Sequence, residues 1–66
     1  MHIQLNGDTF ALDTAASVAD LITELSLQGT RCAVEVNDEL VPRSEHPQHL
    51  LNPNDKVEIV QAIGGG

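Results

Sequence analysis

The 66 residues are 41% hydrophobic and 20% charged, enough for one small core and too few for two. Ten acidic residues against three basic ones leave a net charge of -7, which repels phosphate backbones and anionic bilayers. Nucleic acid and membrane are therefore not expected as partners, whereas a basic patch on another protein would attract such a surface, and solubility alone would also account for it.

Residues 2–6 alternate Ile3 and Leu5 against His2, Gln4 and Asn6, the pattern of a strand with one buried face. Asn6-Gly7-Asp8 follows, and such tripeptides supply the positive φ angles of a tight hairpin turn. A second strand over 9–12 would carry Phe10 and Leu12 to the core side.

Ser17-Val18-Ala19-Asp20 has the form of a capping box with Asp in place of Glu. Behind it Val18, Leu21, Ile22 and Leu25 recur at the spacing of one helical face, and Gly29 offers a stop, so the spacing predicts a helix over 18–27. The apolar stripe of that helix must lie on the sheet.

Cys32, Val34 and Val36 alternate with Ala33 and Glu35 in a third strand. Asn37-Asp38 turns it into a short fourth strand over 39–41, which Pro42 ends by removing a ladder donor. Residues 43–54 are polar and irregular, anchored by Leu50 and Leu51, and read as a loop with at most one helical turn. After the turn Asn52-Pro53-Asn54-Asp55 comes a last strand over 56–62, with Val57 and Ile59 on one face and Val60 and Ala62 on the other. Apolar residues on both faces suit a central strand whose second face is open to a partner.

Two strands, one helix, two strands, a loop and a final strand make an α+β domain, a mixed sheet of about five strands crossed by one helix. The order resembles that of the ubiquitin-like β-grasp, in which the last strand lies beside the first. Residues 1–63 are expected to form the domain and 64–66 a flexible C-terminal tail. No apolar run approaches the roughly 20 residues of a membrane span, and no basic region followed by an apolar stretch opens the sequence. The single cysteine, Cys32, has no partner for an internal disulfide. A cytoplasmic protein is expected.

The tail itself, Gly64-Gly65-Gly66, has no use in a core, because glycine packs no side chain and loses the most freedom on ordering. Glycines alone fit an inert disordered end equally well. Here they follow an apolar strand with no linker between. Three stretches extend the pattern: Val36-Asn37-Asp38-Glu39-Leu40-Val41-Pro42-Arg43, Asn54-Asp55-Lys56-Val57-Glu58-Ile59-Val60, and the terminal Gly-Gly. With these the sequence resembles the ThiS-type sulfur carriers of thiamine biosynthesis over essentially its whole length. The family commonly has Gly at the positions of Asp38 and Asn54, and Asp and Asn tolerate similar backbone angles in turns.

The resemblance implies a carrier that is a substrate of enzymes and not an enzyme. The carboxylate of Gly66 would be adenylated by a ThiF-type enzyme, with ATP used by that partner and no cofactor bound to the carrier. Sulfur from a donor protein would convert it to a thiocarboxylate, and a ThiG-type thiazole synthase would receive that sulfur. Gly64 and Gly65 would thread into the activating site, and Val60, Ala62 and Ile63 would dock against the partner. Two alternatives stand beside this reading: a carrier of the molybdopterin synthase small-subunit type, which is usually longer, and a ubiquitin-like modifier attached to lysines.

Other chemistry-bearing residues have duller readings. Cys32, in an alternating strand, is expected to be a core cysteine and not a persulfide carrier. His46 and His49 flank Pro47 with nothing to complete a metal site. Ser44, Glu45 and His46 are adjacent in sequence, so their side chains diverge and form no nucleophile and base pair. Arg43 is read as a solvated or helix-docking arginine.

Overall fold

A computed structural model of the chain describes residues 1–61. The expectations that fall on Ala62, Ile63, Gly64, Gly65 and Gly66 lie outside the described residues. The elements are β1 (His2–Leu5), β2 (Asp8–Ala11), α1 (Val18–Glu24), β3 (Cys32–Val36), β4 (Glu39–Leu40), a single 3-10 turn (Arg43–Glu45) and β5 (Lys56–Gln61). They form one mixed sheet in the order β2-β1-β5-β3-β4. The last strand lies at the centre beside the first, as expected, and runs parallel to β1 and antiparallel to β3.

The turn chemistry explains the hairpins. Asn6 and Gly7 take φ of +49° and +88° between the paired residues Leu5 and Asp8, and Asn37 and Asp38 take +53° and +69° between Val36 and Glu39. Positive φ at both central residues is the signature of the turn whose twist matches paired strands. Asn54 takes φ +69° after Pro53. Thus Asp38 and Asn54 both hold left-handed backbone, the conformation that glycine would supply at the same positions.

Helix α1 has every first-turn donor satisfied. Asp20 N donates to Ser17 Oγ (3.0 Å) while Ser17 N donates to Asp20 Oδ2 (2.9 Å), the reciprocal capping box. Val18 N and Ala19 N donate to the carbonyls of His49 (2.9 Å) and His46 (3.1 Å), so the polar loop after β4 completes the cap. The helix ends earlier than the spacing predicted. Ser26, not Gly29, takes the left-handed cap at φ +60°, with Leu27 N donating to Ile22 O and Ser26 N to Thr23 O, both at 2.9 Å. Leu25 and Leu27 still pack against the core, from the cap and the turn after it.

Ile3, Val18, Leu21, Val34 and Val57 are fully buried between helix and sheet. Each contributes about 1.5–3 kcal/mol of transfer free energy, which makes this one small layer the source of the fold's stability. Leu51 joins the core, but Leu50, expected to anchor the loop with it, is exposed. The strands shift by a residue from their predicted ends: Asn6 belongs to the turn, Asp8 opens β2, and Val41 follows β4, although Val41 N still donates to Val34 O (2.9 Å). Among the described residues no helix is long and apolar enough to cross a membrane.

Candidate functional site

The face of the sheet away from α1 has no layer over it among the described residues. Pairing registers place its occupants. Val60 lies opposite Ala33, Glu58 and Leu40 both lie opposite Glu35, and Lys56 lies opposite Gln4. Val60 is 66% exposed beside the exposed Ala33, and Leu40, 65% exposed, lies one strand further out beside Glu35. An apolar centre of this kind, on a strand that is buried on its other side, is surface that water does not favour and a partner can cover.

Carboxylates lie beside these residues, Glu35 being paired with both Glu58 and Leu40. Glu35, Asp38 and Glu58 bring one oxygen each within 4.8 Å of one another. Lys56 Nζ reaches Asp38 Oδ1 at 3.0 Å and Glu58 Oε1 at 3.9 Å, so a lysine supplies the positive charge this cluster attracts. The hydrogen bond to Asp38 raises the Lys56 pKa above the ordinary lysine value, reinforced by the charges of Asp38, Glu58 and Glu35. The pairs are exposed and contribute little to stability, but they fix an acidic rim beside the apolar centre.

Strand β5 is held at its start and past its middle by side chains from turns. At its start Lys56 N donates to Asn37 Oδ1 (3.0 Å), Asn37 Nδ2 donates to Asp55 Oδ1 (3.1 Å), and Asn52 N donates to Asp55 Oδ2 (2.9 Å). Further along, Ile59 N donates to Asn6 Oδ1 (2.9 Å) and Asn6 Nδ2 donates to Ile59 O (3.2 Å). The strand therefore delivers the chain to Gln61 from a fixed position. Apart from the local Asn52–Asp55 contact, these turn contacts have no local sequence signal, because the partners are 18 to 53 residues apart.

The sequence-predicted residues sort cleanly. Val60 stands on the open face as expected, while the other docking and tail residues lie outside the described residues. Cys32 is corrected from a core position to a half-buried one at the margin, opposite Gln61, with its Sγ 3.1 Å from Thr30 Oγ1. His46 is only 7% exposed and turns Nε2 to Val41 O (3.1 Å), while Ser44 and Glu45 are exposed. Arg43, also exposed, lines a groove of 240 Å³ between α1 and the loop, along with Ile22, Leu27, Cys32 and His46.

Comparison with known proteins places this geometry. The model of the ThiS family matches residues 3–66. A thiazole synthase from Paramagnetospirillum magneticum is 39% identical over 66 residues, covering 100% of this chain, and the chain spans only 20% of that protein's length. The sulfur carrier protein ThiS of Escherichia coli is 27% identical over 100% of both chains. The crystal structure of the thiamine biosynthesis protein ThiS from Geobacter metallireducens aligns with a TM-score of 0.81 at 29% identity, covering 100% of both chains. The family match over nearly the whole chain and the shared β-grasp show that this chain belongs to the ThiS family of ubiquitin-like sulfur carriers.

Proposed function

We propose that the chain carries sulfur for thiazole formation in thiamine biosynthesis as a thiocarboxylate on Gly66. A carboxylate is a poor electrophile because its charge is shared over two oxygens. A ThiF-type enzyme would let one Gly66 oxygen attack the α-phosphorus of ATP, releasing pyrophosphate and leaving an acyl-adenylate. A sulfur nucleophile delivered by a donor protein then attacks the acyl carbon and expels AMP. In this scheme ATP belongs to the partner, and the carrier is the substrate.

The observation that carries the proposal is the extent of the family match, which runs through residue 66 and so includes the glycines within the family pattern. Support for the acceptor comes from the thiazole synthase relative, in which a segment like this whole chain makes up a fifth of the protein. The open face with Val60 and Leu40, rimmed by acids, supports docking on a partner with an apolar centre and a basic border. A stretch of four residues such as Ile63 to Gly66 can span at most roughly 13 Å, enough for Gly64 and Gly65 to enter a narrow site while the domain stays outside.

Incubation with a ThiF-type enzyme, ATP and a sulfur source, followed by intact-mass spectrometry, tests this. Replacement of one terminal oxygen by sulfur, then loss of that sulfur to a ThiG-type thiazole synthase, is expected. Transfer to a molybdopterin synthase large subunit and not to the thiazole synthase would assign the carrier to another pathway. Lysine-linked adducts would mark it as a modifier.

A further inference from the structure

We infer that Asn6 is a positioning residue for the tail, its side-chain amide serving as one more rung of the sheet. Backbone pairing of β1 with β5 covers only Gln4 with Lys56 and Leu5 with Val57. Asn6 N then donates to Val57 O (2.9 Å), after which the chain turns away at Gly7. On its other side β5 is paired with β3 through five residues, from Val36 with Val57 to Cys32 with Gln61. The second half of β5 would therefore be a free edge toward β1, with the backbone groups of Ile59 and Gln61 pointing past the end of that strand.

The Asn6 amide fills that gap. It accepts from Ile59 N and donates to Ile59 O, the two bonds that a continued β1 would make from two separate backbone peptide groups. Two features make Asn the residue for this. Its carboxamide copies the donor and acceptor of a peptide group, and Asn tolerates the φ of +49° that the turn imposes. The contact lies three residues before Ala62, so it fixes the strand from which the terminal residues depart. On the sulfur-carrier reading above, a partner must place the Gly66 carboxylate beside ATP, and a fixed root leaves less chain to order at that moment.

Asn6→Gly separates the clamp from the turn, because glycine accepts the positive φ and removes only the amide. Amide hydrogen exchange on the full chain is expected to accelerate about tenfold at Ile59, with Gln4 and Leu51, whose amides donate elsewhere, unchanged. With a ThiF-type enzyme, kcat for adenylation is expected to fall about fivefold at unchanged KM, since the docking face is intact. Asn6→Asp keeps the acceptor for Ile59 N and is expected to fall between the two.

Faster exchange at all three amides equally would make Asn6 a general stabiliser and overturn the inference. So would an Asn6→Gly chain adenylated at the wild-type kcat. A wild-type chain that is not adenylated at all overturns the sulfur-carrier reading itself, a result distinct from either.

Discussion

Val57 and Val60 lie three residues apart on β5 and live in opposite surroundings. Val57 is fully buried under α1 and packs with Ile3, Val18, Leu21 and Val34, whereas Val60 is 66% exposed on the face away from α1. A strand alternates its side chains between faces, so one six-residue element supplies both the centre of the core and the centre of the candidate docking surface. Damage to the two faces should therefore appear in different measurements. Substitutions under the helix should cost folding, and those on the open face should cost association with a partner.

Leu21→Ala is the largest test of that division. The side chain is fully buried, so its truncation is expected to cost about 2–5 kcal/mol, measured by urea denaturation. A domain this small has roughly 3–10 kcal/mol in total, so a large part of the population should unfold on warming. A loss below about 1 kcal/mol would mean that the helix-covered layer is not what holds the fold.

Val60→Ser asks the opposite question. Stability is expected to stay within about 0.5 kcal/mol, while KM for adenylation by a ThiF-type enzyme rises about tenfold. An unchanged KM would remove Val60 from the docking surface.

The smallest effect sits on the rim. Lys56 has its pKa raised by its partners, so the stability from its ion pairs is complete below the ordinary lysine value of 10.5 and is lost as pH rises through the higher folded value. The melting temperature is expected to fall slightly more steeply above about pH 10 for the wild type than for Lys56→Met, and parallel curves would show that the pairs contribute nothing.

Much of this architecture was legible from the residues because its signals are local. The alternation of Ile3 and Leu5, the Asn6-Gly7 and Asn37-Asp38 turns, and the Ser17 and Asp20 box each act within a few residues of themselves, and each is present as read. The end of α1 was not legible, because Leu25 and Leu27 continue the apolar spacing while Ser26 takes a left-handed cap that serine does not advertise. Cys32 was placed too deep because alternation gives a face but not how far the helix covers it. The roles of His46 and Asn6 were hidden for another reason. His46 becomes buried because loop and helix meet, and Asn6 reaches Ile59 across 53 residues, contacts that exist only once the sheet has formed.

The central claim is that the domain is a handle and that the chemistry belongs to Gly66. Its most direct test is ATP–pyrophosphate exchange by a ThiF-type enzyme with the full chain and with a chain lacking Gly66, the fold of both being checked by amide spectra. Exchange is expected with the full chain and none with the shortened one, at matching spectra. Exchange at the full rate without Gly66 would contradict that claim.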